Sequence, residues 1–229
     1  IIDLTDENIE ENKNIIDTVK ILLSYFKSYN LKDNLDQKNI KDVVGHEIPM
    51  IVELNDDSKY VRVEALKTLG NLNREILYQY ADKIVNMLKD SDPDVCRAAL
   101  NTLGNLNREM LDQYAKNIVE KLDDPNEDVR VAALNTLNKL NREMLDQYAD
   151  KIVEKLEDPN KDVSYMALEL LDNLEMATDD RYLPKVVIKL TENNSKLREK
   201  ALQILGTLEL TKLLEYADKI VNMLKDSDP

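Results

Sequence analysis

The chain has 229 residues, with 45 acidic against 31 basic side chains, and its net charge of -14 repels nucleic acid and anionic membrane over most of the surface. Four Gly, six Pro, no Trp and many Leu, Ile, Lys, Glu and Asn point to helices joined by short loops. The longest apolar runs, such as Val186-Val187-Ile188, are too short to span a bilayer, and the acidic start from Ile1 to Glu7 is no secretory signal.

Along the chain, residues 1–35 come first and stand apart. Ile15, Ile16, Val19, Leu22, Leu23 and Phe26 fall at helical spacing and predict one amphipathic helix, a terminal cap. Asn30 to Gln37 reads as a turn or short linker. From residue 36 the sequence repeats itself with a period of 34, in the register 47–80, 81–114, 115–148, 149–182 and 183–216. The last segment, Ala217 to Pro229, copies Ala81 to Pro93 letter for letter. There is no initiating Met and the sequence stops in mid-repeat, so a piece of a longer array is expected.

Each block reads as two helices. The first carries Leu77, Tyr80, Ala81, Ile84, Val85 and Leu88 on one face and ends in the acidic turn Asp90-Ser91-Asp92-Pro93. Asp92 is placed to cap the second helix, and Pro93 sits at its first position, where a missing N–H costs nothing. The second helix runs through Val95, Ala99, Leu100, Leu103 and Leu106 and breaks between Gly104 and Asn107. Neither helix can bury its stripe alone, whereas stacked hairpins bury it continuously.

A 34-residue period also belongs to tetratricopeptide repeats, but the 21 residues from Gly104 to Pro125 are about three too few for that pattern. Asp-x-x-x-Asp-Val-Arg-x-x-Ala-Leu-x-x-Leu, as in Asp124 to Leu137, instead resembles the second helix of a HEAT repeat. The resemblance spans residues 36–229 and implies an all-α fold, a right-handed α-α superhelix of about five hairpins with a truncated sixth. It also implies an Asp in each turn (Asp56, Asp90, Asp124, Asp158, Asp226) and an Arg early in each second helix. The Arg is present as Arg62, Arg130 and Arg198, but Cys96 and Ser164 replace it, and Glu192 replaces the Asp once. Any Asp–Arg ladder is therefore interrupted.

If the chain resembles HEAT arrays, second helices line a concave face, and the variable outward columns line its groove. One column reads Val63, Arg97, Val131, Tyr165, Glu199, and beside it run Glu64, Ala98, Ala132, Met166, Lys200. Two more read Lys67, Asn101, Asn135, Glu169, Gln203 and Asn71, Asn105, Lys139, Asn173, Thr207. With four bases and three acids, these positions make a near-neutral groove with an apolar middle. Val63, Arg97, Asn101, Val131, Asn135, Tyr165, Met166 and Glu169 are the candidate partner-binding residues, suited to a peptide or an amphipathic helix and not to a phosphate backbone. Ile220, Val221 and Leu224 would lie open at the last half-repeat, so end-to-end self-association is a further expectation.

No catalytic, metal or cofactor site emerges. The one His, His46, occupies the column of Tyr80, Tyr114, Tyr148, Tyr182 and Tyr216 and reads as a packing residue. Asp90-x-Asp92-x-Asp94 opens like a calcium loop but has Val95 and Asn101 where Gly and Glu are needed. The tyrosine column reads as a half-buried seam, ring inside and hydroxyl at the rim. Cys96 reads as an inert small residue at the core edge, and a lone cysteine favours a reducing compartment, so an intracellular, cytoplasmic protein is expected. The reading is a non-catalytic scaffold for a protein partner. The alternatives are an enzyme of a HEAT-like class, of lyase or glycosylase type, and a ligand-free structural or designed spacer.

Overall fold

The computed structural model describes residues 54–224 except Asn73. His46, Glu47 and the N-terminal amphipathic stretch lie outside the described residues. Thirteen α-helices follow in order among those residues: α1 Lys59–Gly70, α2 Arg74–Asn86, α3 Pro93–Leu103, α4 Arg108–Asp112, α5 Ala115–Glu120, α6 Glu127–Leu137, α7 Arg142–Asp146, α8 Ala149–Glu154, α9 Lys161–Asn173, α10 Leu183–Ile188, α11 Ser195–Leu205, α12 Leu210–Glu215 and α13 Ala217–Leu224. α1, α3, α6, α9 and α11 are the second helices, and each packs on the next to form one continuous row. The others form the first-helix layer.

Local chemistry sets where each second helix begins. The side chains of Asp92, Asn126, Asn160 and Asn194 accept hydrogen bonds from backbone N–H groups of the first turn, which otherwise lack intrahelical partners. Two residues earlier, Asp56, Asp90, Asp124 and Asp158 each accept the backbone N–H of residues 58, 92, 126 and 160 and fix the turn before the cap. Asp92 is thus the N-cap and Pro93 the first helical residue, as the sequence implies.

The first helix is less regular than the periodicity suggests. α2 is continuous, but in the next two hairpins it divides into α4 and α5, and into α7 and α8, around Tyr114 and Tyr148. A 3-10 turn then finishes each one, at Met87–Lys89, Lys121–Asp123, Lys155–Glu157 and Lys189–Thr191. The fourth hairpin drops the first segment, and Asp179–Arg181 forms a turn before α10. The preceding helix α9 ends with Glu175 at φ 57, its N–H bonded to the Asp172 carbonyl while Met176 N–H reaches that of Leu171. That closure is the left-handed helix stop in which glycine is favoured.

The core is a set of columns. Ala65, Ala99, Ala133, Ala167 and Ala201 are fully buried, as are Leu66, Leu100, Leu134 and Leu168. Leu202, at the last place in that leucine column, is 36% exposed. One outward column of the sequence reading is corrected here, and a second has an added role. Ala98 and Ala132 are buried rather than solvent-facing, because adjacent second helices stack directly over them. Asn105 and Lys139 turn back and donate to the carbonyls of Gly70 and Gly104 at the end of the preceding second helix. Gly70 leaves space for that contact, since a Cβ there would lie 3.0 Å from Asn105 Nδ2.

Candidate functional site

The row of second helices presents two kinds of surface: turns knitted by ion pairs, and an outward face with fewer internal partners. At the turns, Arg62 makes a two-pronged contact with Asp90, at 2.8 and 2.9 Å, and its third nitrogen donates to the carbonyls of Asp56 and Asp57. Arg130 repeats the arrangement with Asp158, at 2.8 Å twice, and with the carbonyls of Asp124 and Pro125. Arg198 donates to the Glu192 carbonyl in the same way.

Between these arginines the ladder changes chemistry. Cys96 is buried, its thiol directed at the carbonyls of Leu88 and Asp90, and burial pushes its pKa up. Ser164 donates to the Leu156 carbonyl at 2.6 Å. Neither can reach the acid of the next hairpin. A lysine three residues before that acid takes over: Lys121 holds Asp124 at 3.2 Å, and Lys189 holds Glu192 at 3.0 Å. Glu192 is also held by Lys161, and the two lysines, Lys161 foremost, keep its carboxyl below the usual range. This substitute was legible in the 34-residue register, where Lys121 and Lys189 stand opposite Met87, but the sequence reading passed over it.

The first-helix layer is stitched in parallel. Tyr114 and Tyr182 donate to Asp82 and Asp150 of the preceding hairpin, both at 2.9 Å. Burial, followed by the Asp82 bond, pushes the Tyr114 hydroxyl up to about 12. Tyr114 and Tyr148 are half-buried and Tyr182 is buried with its hydroxyl on the exposed Asp150, whereas Tyr80 lies fully inside, deeper than a rim position. The acids of the calcium-like turn are engaged as well: Arg62 holds Asp90, and Lys59 contacts both Asp92 and Asp94. A further pair of ties was missed. Thr102 and Thr136 are buried and donate across the seam to the carbonyls of Leu66 and Leu100.

The outward face carries the candidate binding residues. Val63, Arg97 and Asn101 line one recess of about 760 Å³ between α1 and α3, with Tyr60 and Lys67 at its edge. Val131 and Asn135 stand on α6, and Tyr165, Met166 and Glu169 on α9, so stacking brings their columns side by side. Val63, Val131, Tyr165 and Met166 are half-buried and packed against the core. Asn101 and Asn135 are exposed, and among the described residues their amides make no hydrogen bond. Most cations here are engaged within the chain: Arg97 with Asp94, Lys67 with Glu64, Lys200 with Asp172, and Lys139 with the Gly104 carbonyl.

Residues 48–115 match the family described as HEAT repeats. Among solved structures the chain is similar to a designed armadillo repeat protein in complex with the peptide (KR)4, at 22% identity and a TM-score of 0.52, covering 74% of this chain and 84% of that one. The chain has the fold of a HEAT/armadillo-like solenoid. Its HEAT-like array is also similar to a chain in a homology model of the full-length AP-3 complex in an intermediate open conformation, at 18% identity and a TM-score of 0.64. That match covers 93% of this chain and 38% of the other. A third likeness, to the complex of CpcE and CpcF of phycocyanin lyase from Nostoc sp. PCC7120, has 13% identity and a TM-score of 0.53, over 71% and 98% of the two chains. A search of curated protein sequences found no match. At these identities the structural likenesses establish the α-α superhelix and nothing about the ligand.

Proposed function

We propose that the HEAT-like array is a non-catalytic scaffold that binds a peptide or helix of a protein partner along the outward face of its second helices. One observation carries the reading: half-buried Val131, Tyr165 and Met166 lie on consecutive helices beside the exposed, unbonded amides of Asn101 and Asn135. Apolar anchors flanked by amides suit side-chain pockets plus polar contacts to an extended or helical ligand. The net charge of -14, and cations already engaged with this chain's own acids, oppose a nucleic-acid ligand. Perturbed carboxylates such as Asp123 and Glu192 are dispersed through seam ion pairs rather than gathered in one recess, which favours binding over catalysis. No helix among the described residues is long and apolar enough to cross a membrane.

Display selection with a random-peptide library tests the proposal, run against the chain and against Val131→Glu/Tyr165→Glu. Both positions are half-buried at the surface, so the variant keeps its fold, which circular dichroism checks. Selected peptides should carry an apolar or aromatic anchor and lose at least tenfold in affinity for the variant. Peptides that bind both proteins equally would refute recognition by this face.

A further inference from the structure

The turn edge of the array repeats one set of acceptors. At Arg62 and at Arg130 the chain's own guanidinium fills that set. The carboxylate of the next turn, Asp90 or Asp158, takes two of its nitrogens. The two carbonyls before the helix cap, Asp56 with Asp57 or Asp124 with Pro125, take the third. The period of 34 puts the carbonyls of Asp90 and Ser91 and the carboxylate of Asp124 at the same three places around Cys96. There the side chain ends at Sγ, and a recess of about 430 Å³ opens between the turns, lined among others by Asp90, Ser91, Cys96, Asp124, Asn126 and Glu127. What surrounds this recess leaves its acceptors largely unused. Lys121 meets Asp124 through one oxygen at 3.2 Å, but from the same turn, so it does not tie one hairpin to the next. The Cys96 thiol, 3.2 Å from the Asp90 carbonyl, is a weak donor. The Ser164 seam is closed differently, because Lys161 crosses it to Glu192 at 2.8 Å.

We propose that the Cys96 recess binds the guanidinium of an arginine side chain from a partner polypeptide, in the place that Arg62 and Arg130 fill in their own seams. The occupant is specified by what the equivalent acceptors already hold. A planar fork can meet both oxygens of Asp124 and still donate to carbonyls behind it, whereas an ammonium cannot. Asp124 is only 13% exposed, which strengthens a charge-assisted contact, and exposed Ser91, Pro125 and Glu127 leave the mouth open. Glu127 pairs with no cation among the described residues. Its charge opposes the α-carboxylate of free arginine but not an arginine flanked by peptide bonds. This site lies on the turns, separate from the proposed groove on the outward face, and does not depend on it.

Cys96 is the chain's one cysteine, so isotopic nitrogen labelling of cysteine gives a single amide signal at the recess. Titrating the full chain with the capped tripeptide Gly-Arg-Gly should shift that signal saturably. Tripeptides with lysine or with the neutral isostere citrulline should bind at least fivefold more weakly, as should free arginine. Asp124→Asn should weaken binding at least fivefold, while its side-chain oxygen still accepts the Asn126 N–H that fixes the turn. Cys96→Arg should raise the melting temperature and abolish the further rise that the tripeptide gives the parent chain. Absence of a saturable shift, equal binding of the arginine and lysine tripeptides, or a Cys96→Arg chain that still gains from the tripeptide would overturn the proposal. Tighter binding of free arginine would overturn its assignment to a polypeptide.

Discussion

Substituting serine for each of two equivalent arginines should destabilise the array by unequal amounts, and the inequality tests how the seams are built. Arg62 and Arg130 make the same two-pronged contact with Asp90 and Asp158, and all four side chains are at most 14% exposed. Removing one partner of a buried ion pair costs about 3–5 kcal/mol, because the other charge is left without compensation. After Arg62→Ser nothing near Asp90 replaces the guanidinium, since the residue three before it is Met87. A loss of about 4 kcal/mol is expected. After Arg130→Ser the corresponding residue is Lys155, placed where Lys121 and Lys189 already serve Asp124 and Glu192.

Lys155 now contacts Asp123 at 2.6 Å, but Asp123 also has Lys151 at 2.8 Å and is 53% exposed. Giving up a pair that open costs only about 0–1 kcal/mol. The new serine would have the Leu122 carbonyl to donate to, as Ser164 has that of Leu156. Recovery of about half the lost interaction brings the expected cost of Arg130→Ser to about 2 kcal/mol. Urea unfolding followed by circular dichroism measures both. Lys155→Met should raise the cost of Arg130→Ser to that of Arg62→Ser while costing under about 1 kcal/mol alone. Equal costs for the two arginines, with no coupling to Lys155, would refute substitution of lysine for arginine in these seams.

Three other outcomes follow from particular residues. Glu175→Gly should stabilise by about 1 kcal/mol, read as a rise in melting temperature, because φ 57 strains any residue with a Cβ and the Arg142–Glu175 pair it removes is exposed. Leu100→Ala should cost about 3 kcal/mol and Leu202→Ala clearly less in urea unfolding, since the same column is sealed at the first position and open at the second. Asp92, Asp123 and Glu192 are held below their ordinary pKa values by Lys59, by Lys151 with Lys155, and by Lys161 with Lys189, and Arg181 holds Asp179 at about 2. A lowered folded pKa means the unfolded chain binds more protons, so their stabilisation is complete above about pH 4.5 and is lost as pH falls toward 2. Melting temperatures should fall over that window, and a flat profile between about pH 5 and 3 would contradict the assignment.

The fold was legible because its signal is repeated. Ala and Leu recur at the same places through five second helices, and each Asp and Asn before them has one local task, a turn or a cap. The outward face was less legible because a helical wheel treats each helix alone. It assigned Ala98 and Ala132 to solvent, yet the neighbouring second helix covers them. It read Asn105 and Lys139 as groove residues; both are exposed and Asn105 lines the recess between α1 and α3, but their donors also close the preceding helix. Thr102 and Thr136 were passed over because a hydroxyl at one position has no visible partner until the stack supplies a carbonyl. Division of the first helix at Tyr114 and Tyr148 leaves no mark in periodicity, since both halves keep the same apolar face.

These misplacements share a cause that bears on function. In a stacked array a residue's role depends on which hairpin lies above it, so one column can serve the seam in one repeat and a ligand in the next. The column of Ala98 and Ala132 becomes Met166, half-buried, and then Lys200, which reaches Asp172 at 2.7 Å. By contrast, among the described residues the column of Val63, Arg97, Val131 and Tyr165 contributes no hydrogen bond or ion pair across a seam beyond the long Arg97–Asp128 contact of 4.0 Å. Changes in this column leave the ion-pair and hydrogen-bond ladder of the seams in place, although Val63, Val131 and Tyr165 also pack on the core. On the proposed reading, partner specificity belongs to this column rather than to the more conspicuous amides of Asn105 and Asn173, because its side chains vary from valine to arginine to tyrosine over a backbone that the turns keep fixed.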